Sequence, residues 1–472
     1  MDSKKVVKRF LSFSVGTWIN AIISLVGIPI ISRFISPIEY GKASMFTLAV
    51  NLFQCIVVLG IDQSFARFYN EISPEKRKFL LRDVLFPVVA ISLAGIVLLQ
   101  LFNSQVSLLL FDSPDYTVET NILAISILIA AILRIGLLSI RMQNKAKRYS
   151  LLQVINAIST LVSTVGYAYY AKPNFTAVII GFAIGQIITL LLCIILDLKV
   201  WREVFHLKLN HKSYDLKPLI LYGLPFIPTF IVDWFFQGID RTFLRVYANY
   251  EALGLYAAAV KISLSLNIVQ IGFTTFWMPY AYERYNTNAE ETSFYNRFFN
   301  LITYAFSMLI CSILVFDNIL ILLFPPEYYL IKSIFPFLLF VPMLYTLSEI
   351  TVVGINYRKK TAYHFLIVIV AAIVNAIAAY ILIPIYGATG AAVATFLAYI
   401  CFFVLRTGIS LNYYKVPYNF TKFIVTLAIL LTFILFKMLY MNLLVNSIGL
   451  FSMMLLTLIF MSDLSKLKNL VR

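Results

Sequence analysis

Apolar runs of about 20 residues recur from one end of this chain to the other, and no long polar interval separates them. A run of that length crosses the roughly 30 Å of bilayer hydrocarbon as an α-helix, which satisfies its own backbone hydrogen bonds where no water is available. The pattern therefore predicts an all-α integral membrane protein with about fourteen transmembrane helices. The runs fall at 10–31, 41–60, 84–102, 117–140, 151–171, 176–196, 219–237, 252–276, 298–316, 335–355, 363–383, 387–405, 423–440 and 443–461. With 61% hydrophobic and only 13% charged residues, no stretch is left over for a soluble domain. The first run is too long for a signal-peptide core and has no small-x-small cleavage site, so it reads as the first span and not as a removed leader.

Charge sets the orientation. Of the 38 Lys and Arg, 29 fall in alternate loops on one side, in clusters such as Lys4, Lys5, Lys8 and Arg9, or Arg358, Lys359 and Lys360. Seven fall on the other side (Arg33, Lys42, Lys172, Arg241, Arg245, Lys332, Lys437), and Arg134 and Lys261 lie within spans. An even span count with this bias puts both termini in the cytoplasm. The net charge of +16 is then a topology signal, which excludes a nucleic-acid partner and leaves anionic lipids as partners of the basic face. Cys55, Cys193, Cys311 and Cys401 lie in apolar runs without paired spacing, and His206, His211 and His364 are far apart, so neither a disulfide framework nor a metal site is indicated. No cofactor motif is present in the sequence.

Features recur about 210 residues apart. Gly16 matches Gly223, Arg33 with Gly41 matches Arg245 with Gly254, and the basic turn before Tyr149 matches that before Tyr363, at offsets of 207, 212, 213 and 214. Six spans separate the copies, so they share orientation as a parallel repeat. The expected organisation is a six-helix lobe over 1–198, a cytoplasmic linker over 199–218, a second six-helix lobe over 219–406, and two additional helices with a tail over 407–472. Two like-oriented lobes imply a central cavity and alternating access, a transporter architecture.

A charge at the bilayer centre costs about 3 kcal/mol, so charges within spans mark candidate sites. Lys261 lies nine residues into its span, about 13 Å deep and near the midplane. Arg134 lies seven residues before Arg141, and either lines a cavity or snorkels inward. Arg33 ends the first span just before Pro37, as an interfacial anchor or as a bidentate phosphate contact. Asp240 and Arg241 either pair with each other or meet substrate, and Asp233 and Glu349 are the acids placed to carry a coupling ion. Tyr256, Ser263, Asn267, Gln270 and Thr274 fall within an arc of about 60° on a straight helix, as a sugar-binding stripe or as polar helix packing. Lys261 lies roughly opposite that arc, so a straight helix cannot turn both features toward one narrow cavity.

At "GTWINAIISLVGIPIISRFISPIEYGKAS" and "GIDRTFLRVYANYEALGLYAAAVKI", with "LGIDQSFARFY" and "PIYGATGAAVATFLAY", the chain resembles the polysaccharide biosynthesis membrane proteins, the O-antigen and capsule repeat-unit flippases of the MOP superfamily. The resemblance covers essentially the whole chain. It implies a V-shaped pair of bundles with a cationic cavity in the bacterial inner membrane. It also implies export of an undecaprenyl-diphosphate-linked oligosaccharide for O-antigen, capsule or exopolysaccharide assembly, with a polysaccharide polymerase and chain-length proteins as partners. In the related peptidoglycan-precursor flippases, arginines at the steps matching Arg33 and Lys261 belong to the cavity, which favours the same role for these two residues.

Two other classes were weighed. A polyprenyl-linked polymerase or glycosyltransferase needs a sizeable outer loop with catalytic side chains, and here the longest, 317–334, holds few acids and no nucleophile-base pair. A MATE-like multidrug exporter needs an acidic cavity for cations, whereas the intramembrane candidates here are mainly basic. The orientation is directly testable: reporter fusions after Lys78 and after Lys360 are expected to read cytoplasmic and one after Ser113 periplasmic. A periplasmic signal after Lys360 overturns both the orientation and the parallel repeat.

Overall fold

A computed structural model describes residues 3–73, 77–206, 216–288, 290–360, 362–440 and 444–471. Lys76, Lys208, His211 and Lys212 lie outside the described residues, as do the side chains of Lys4, Lys5, Lys8, Arg9, Lys78, His206 and Asp233. All regular structure among the described residues is helical. Twelve of these helices are long and apolar enough to cross a membrane. One of them, Ala362–Tyr413, is two helices joined at Gly387 (φ 54°), and a shorter apolar helix occupies Trp18–Ser32, so each of the fourteen apolar runs has its segment.

Contacts divide the chain into two compact units, Met1–Thr242 and Phe243–Arg472. The first holds α1 (Ser3–Ser32), α2 (Pro37–Val58), α3 (Ile61–Phe68), α4 (Arg77–Leu101), α5 (Asn103–Phe111), α6 (Thr117–Met142), α7 (Ala146–Tyr170), α8 (Phe175–Leu196), α9 (Leu198–His206), α10 (Leu216–Gly223) and most of α11 (Ile227–Tyr247). The second holds α12 (Tyr250–Ser263), α13 (Asn267–Thr287), α14 (Ser293–Val315), α15 (Asp317–Ile321), α16 (Ile331–Leu338), α17 (Phe340–Thr351), α18 (Val353–Tyr357), α19 (Ala362–Tyr413), α20 (Phe420–Leu439) and α21 (Leu444–Val471). The unit boundary lies one span beyond the lobe boundary read from the sequence, because α10 and α11 attach to the first unit. Ser64 Oγ donates to Leu219 O at 2.6 Å, and Trp234 Nε1 donates to Leu48 O at 3.1 Å.

Helix starts repeat as the sequence does: Pro37, Thr117 and Ala146 have counterparts at Tyr250, Ile331 and Ala362, 213 to 216 residues on. Both α2 and α12 open on a side-chain cap that satisfies an otherwise orphan N–H, Ser36 accepting from Glu39 N and Asn249 from Ala252 N. The segment "SPIEYGK" is a staple in the first unit. Pro37 starts the helix, Glu39 accepts the Phe175 N–H of α8 at 2.7 Å, and Lys42 reaches Tyr116 OH while lying over the Tyr116 and Phe175 rings. Small residues bring helices together in place of a hydrophobic drive. A Cβ on Gly181 or Gly185 of α8 would meet Thr164 or Thr160 Oγ1 of α7 at 2.0 and 2.1 Å.

In the second unit the pass formed by α16 and α17, Ile331–Thr351, is the most deeply buried of the candidate membrane spans among the described residues. The two C-terminal helices, α20 and α21, pack on α14 and are clasped at both ends. Asp463 takes Lys422 Nζ at 2.5 Å and Asn300 Nδ2 at 3.3 Å, while Lys437 meets Asp317 and the Leu314 carbonyl.

One crossing in the first unit sets where its charges fall. Leu59 (φ 49°) and Gly60 (φ 68°) end α2 in left-handed geometry, and a Cβ on Gly60 would lie 2.3 Å from Gly223 O. Gly60→Ala meets both the left-handed penalty of about 1–2 kcal/mol and that clash. It is expected to lower the melting temperature and the folded yield of the purified protein. Gly166→Ala, on a helix with nothing within 4 Å, is expected to leave both unchanged or slightly raised, and fluorescence-detected melting in detergent checks the pair.

Candidate functional site

The left-handed turn at Leu59–Gly60 delivers Asp62, second residue of α3, to the middle of α6. There Asp62 Oδ2 accepts Arg134 Nη2 at 2.6 Å and Nε at 3.1 Å, and its Oδ1 takes the Gln63 backbone N–H at 3.0 Å. The Asp62 side chain is 6% exposed and that of Arg134 38%, so the guanidinium is anchored at one edge and open at the other. Arg134 is held by a carboxylate from a neighbouring element. Asp62 is not among the sequence candidates, although "LGIDQSF" carries the signal in an acid two residues after a glycine between two apolar runs.

The second unit carries a more deeply buried pair. Arg406 Nη1 donates to Glu349 Oε1 at 2.6 Å and to Ser348 Oγ at 2.8 Å, with both charged residues 8% exposed. The guanidinium lies over the rings of Phe402 and Tyr345 at 5.2 and 5.9 Å, and its Nε has no acceptor among the described residues. Glu349 also lies on the helix whose backbone takes the fully buried Trp277 indole, through Glu349 O at 3.1 Å. Arg406 had been counted with the inner loops because the twelfth run ends at residue 405. The helix in fact continues to Tyr413 and keeps the arginine inside.

The eighth pass is not a straight helix. α12 stops at Ser263, one 3₁₀ turn spans Leu264–Leu266, and α13 begins at Asn267. Three residues at about 120° each, in place of 100°, turn everything beyond the break by about 60°. Asn267 and Gln270 thereby move from about 120° and 180° to about 60° and 120° from the meridian of Lys261, so the opposition of a straight helix is reduced. The stripe splits into two parts. Tyr256 is buried with its OH 3.0 Å from Thr395 Oγ1, and Ser263 donates to Val260 O, so these two serve packing. Thr274 is spent on its own helix, on Gln270 O at 3.0 Å. Lys261 sits half-buried in the last turn of α12, and Asn267 and Gln270 are half-buried in the first turn of α13.

Arg33 is exposed in the turn between α1 and α2, Asp240 is buried on α11 at 2% exposure, and Arg241 is half-buried and near enough to act on the Tyr40 phenol. Asp233 belongs to α11, with its side chain outside the described residues. Guanidinium and ammonium groups on membrane helices are suited to phosphate oxygens, Arg by a bidentate fork and Lys as a point charge.

The solved structures that resemble this one share its fold. The lipid II flippase MurJ, in an inward closed conformation, superposes with a TM-score of 0.74 at 16% identity, covering 98% of this chain and 99% of that one. An inward-facing multidrug resistance MATE transporter of the MOP superfamily gives 0.60 at 14% identity, covering 86% and 96%. In sequence, a protein of the Lsg locus of Haemophilus influenzae is 22% identical over 290 residues, 59% of this chain. The match spans 66% of that relative, just under two thirds of its length. The family described as polysaccharide biosynthesis protein matches residues 6–284, more than half of the chain. The chain belongs to the polysaccharide biosynthesis protein family, with the helical membrane fold shared by MurJ and the MATE transporters.

Proposed function

We propose that this protein is a flippase that moves an undecaprenyl-diphosphate-linked oligosaccharide across the bacterial inner membrane, for O-antigen, capsule or exopolysaccharide assembly. The carrying observation is the broken eighth pass. Lys261 lies eleven residues from Tyr250 and thirteen from Thr274, the ends of that pass, so it is about 16 and 20 Å along the helix from either end. A half-buried ammonium at that depth, followed by two half-buried amides in the first turn after a helix break, suits a diphosphate and the first sugar hydroxyls. Interrupted helices at mid-membrane are the recurrent way transporters build an ion or anion site. Family membership and the MurJ-like fold support the same substrate class, as does the basic character of Arg33, Lys261 and Arg241, which disfavours a cationic drug.

In this reading Arg33 and Lys261 contact the diphosphate. Arg134, held by Asp62, presents its open edge to the passing anion. Asn267 and Gln270 hydrogen-bond sugar. The lobes exchange access by rocking, both termini are cytoplasmic, and no bond is made or broken, so the protein is a transporter and not an enzyme. Glu349 starts from a neutralised state against Arg406, and Asp233 is the other acid available for ion coupling.

Reconstitution with a defined lipid-linked oligosaccharide tests the reading directly. Lys261→Ala is expected to abolish flipping and surface polysaccharide with normal insertion, and Lys261→Arg to retain much of both. Full polysaccharide from a well-inserted Lys261→Ala protein overturns the assignment. The driving force is separable in the same vesicles. Exporting a diphosphate from a negative interior gains about 2.3 kcal/mol per charge per 100 mV, so collapsing the potential is expected to slow export. If the rate instead follows a proton or sodium gradient at fixed potential, Glu349→Gln or Asp233→Asn is expected to remove that dependence.

A further inference from the structure

A cavity of about 270 Å³ lies in the second unit where α14, α16 and α20 meet, and none of the residues assigned to transport above lines it. Its wall is largely apolar, with Leu330, Pro336, Ile434 and Met438, and two ammonium groups open into it, Lys332 and Lys437. The lysines come from different helices and converge on one acid. Lys437 Nζ is 2.7 Å from Asp317 Oδ1, and Lys332 Nζ is 4.0 Å from Oδ2 and donates to Asn318 Oδ1 at 2.6 Å. Asp317 is wholly buried, and burial pushes its carboxyl up against the pull of the lysines. Two cations face one carboxylate, which leaves one positive charge in excess. Lys437 is 9% exposed and Lys332 24%, so water screens little of it.

All three charges lie at helix ends: Asp317 two residues beyond α14, Lys332 at the second position of α16, and Lys437 in the last turn of α20. That is the depth of lipid headgroups for helices that span the hydrocarbon. Leu330 at 62% and Met438 at 39% exposure continue the apolar wall outward, as an acyl chain requires. The volume falls below the roughly 300–1,000 Å³ of drug-sized sites, which excludes an oligosaccharide and suits one small headgroup.

We infer that this cavity holds the phosphodiester of one net-anionic phospholipid, with Lys332 and Lys437 on the phosphate and the apolar wall against the upper acyl chain. A zwitterionic lipid brings its own cation to a site already in positive excess and binds less well. The lipid bridges α16 and α20, adding to the clasp that joins the C-terminal helix pair to its unit. The inference does not depend on the transport reading.

Native mass spectrometry of the full chain released from phosphatidylcholine nanodiscs doped with phosphatidylglycerol tests it. The unsubstituted protein is expected to retain one phosphatidylglycerol in preference to phosphatidylcholine. Lys332→Gln, which leaves the Asp317–Lys437 pair intact, is expected to lower that preference about fivefold, the worth of one lysine at a lipid surface. Lys332→Arg is expected to keep the preference and Asp317→Asn to strengthen it. Ser333→Phe, which fills the cavity without changing charge, is expected to abolish it. No preference in the unsubstituted protein overturns the inference, and so does an unchanged preference in both Lys332→Gln and Ser333→Phe with normal elution on gel filtration.

Discussion

An ion taken out of water is costly unless it is paired, and among the buried carboxylates Asp62, Glu349 and Asp317 each meet an opposite charge. The arrangement around Asp62 shows how much backbone such a pair requires. Its ion pair exists because α2 ends in two successive left-handed residues. That turn fits only because Gly60 and Gly223 have no side chains where α3 and α10 cross. The glycine crossing, the hydrogen bond from Ser64 to Leu219 O and the Asp62–Arg134 pair are therefore one construction. A buried pair is weak evidence for stability, since well-packed apolar residues often do as well, and its usual value is to hold a register or to offer a switch.

The two units solve the same problem with the signs exchanged. Arg134 on α6 and Glu349 on α17 lie 215 residues apart, within the spacing of the repeated helix starts. In the first unit the helix at this place carries the base, and the acid comes from the turn after α2. In the second it carries the acid, and the base comes from the far arm of α19. The repeat thus preserves helix positions and the principle of a tethered charge without preserving its polarity. For an anionic cargo that difference matters: an arginine with an open edge attracts phosphate, whereas a neutralised glutamate does not repel it.

The break in the eighth pass links packing to the proposed chemistry. Tyr256 and Ser263 before the break belong to the protein interior, and Asn267 and Gln270 after it are turned about 60° from where a continuous helix would put them. A continuous helix forces a choice between the lysine and the amides. The 3₁₀ turn narrows the angle between them.

Much of the fold was legible because membrane helices announce themselves by length and hydropathy. The fourteen segments and the offset of the repeat needed nothing more. The candidate charges were legible as residue types for the same reason, since an ionised side chain within an apolar run is costly. What could not be read was partnership. Asp62 and Arg134 are 72 residues apart, and Glu349 and Arg406 57 apart, and no local pattern couples them. The sequence by itself determined that this chain spans a membrane many times and carries cations inside it. Only the tertiary structure decided which charges neutralise one another, because that depends on two close glycine backbones, a helix running past its apolar run to Tyr413, and one 3₁₀ turn at Leu264–Leu266.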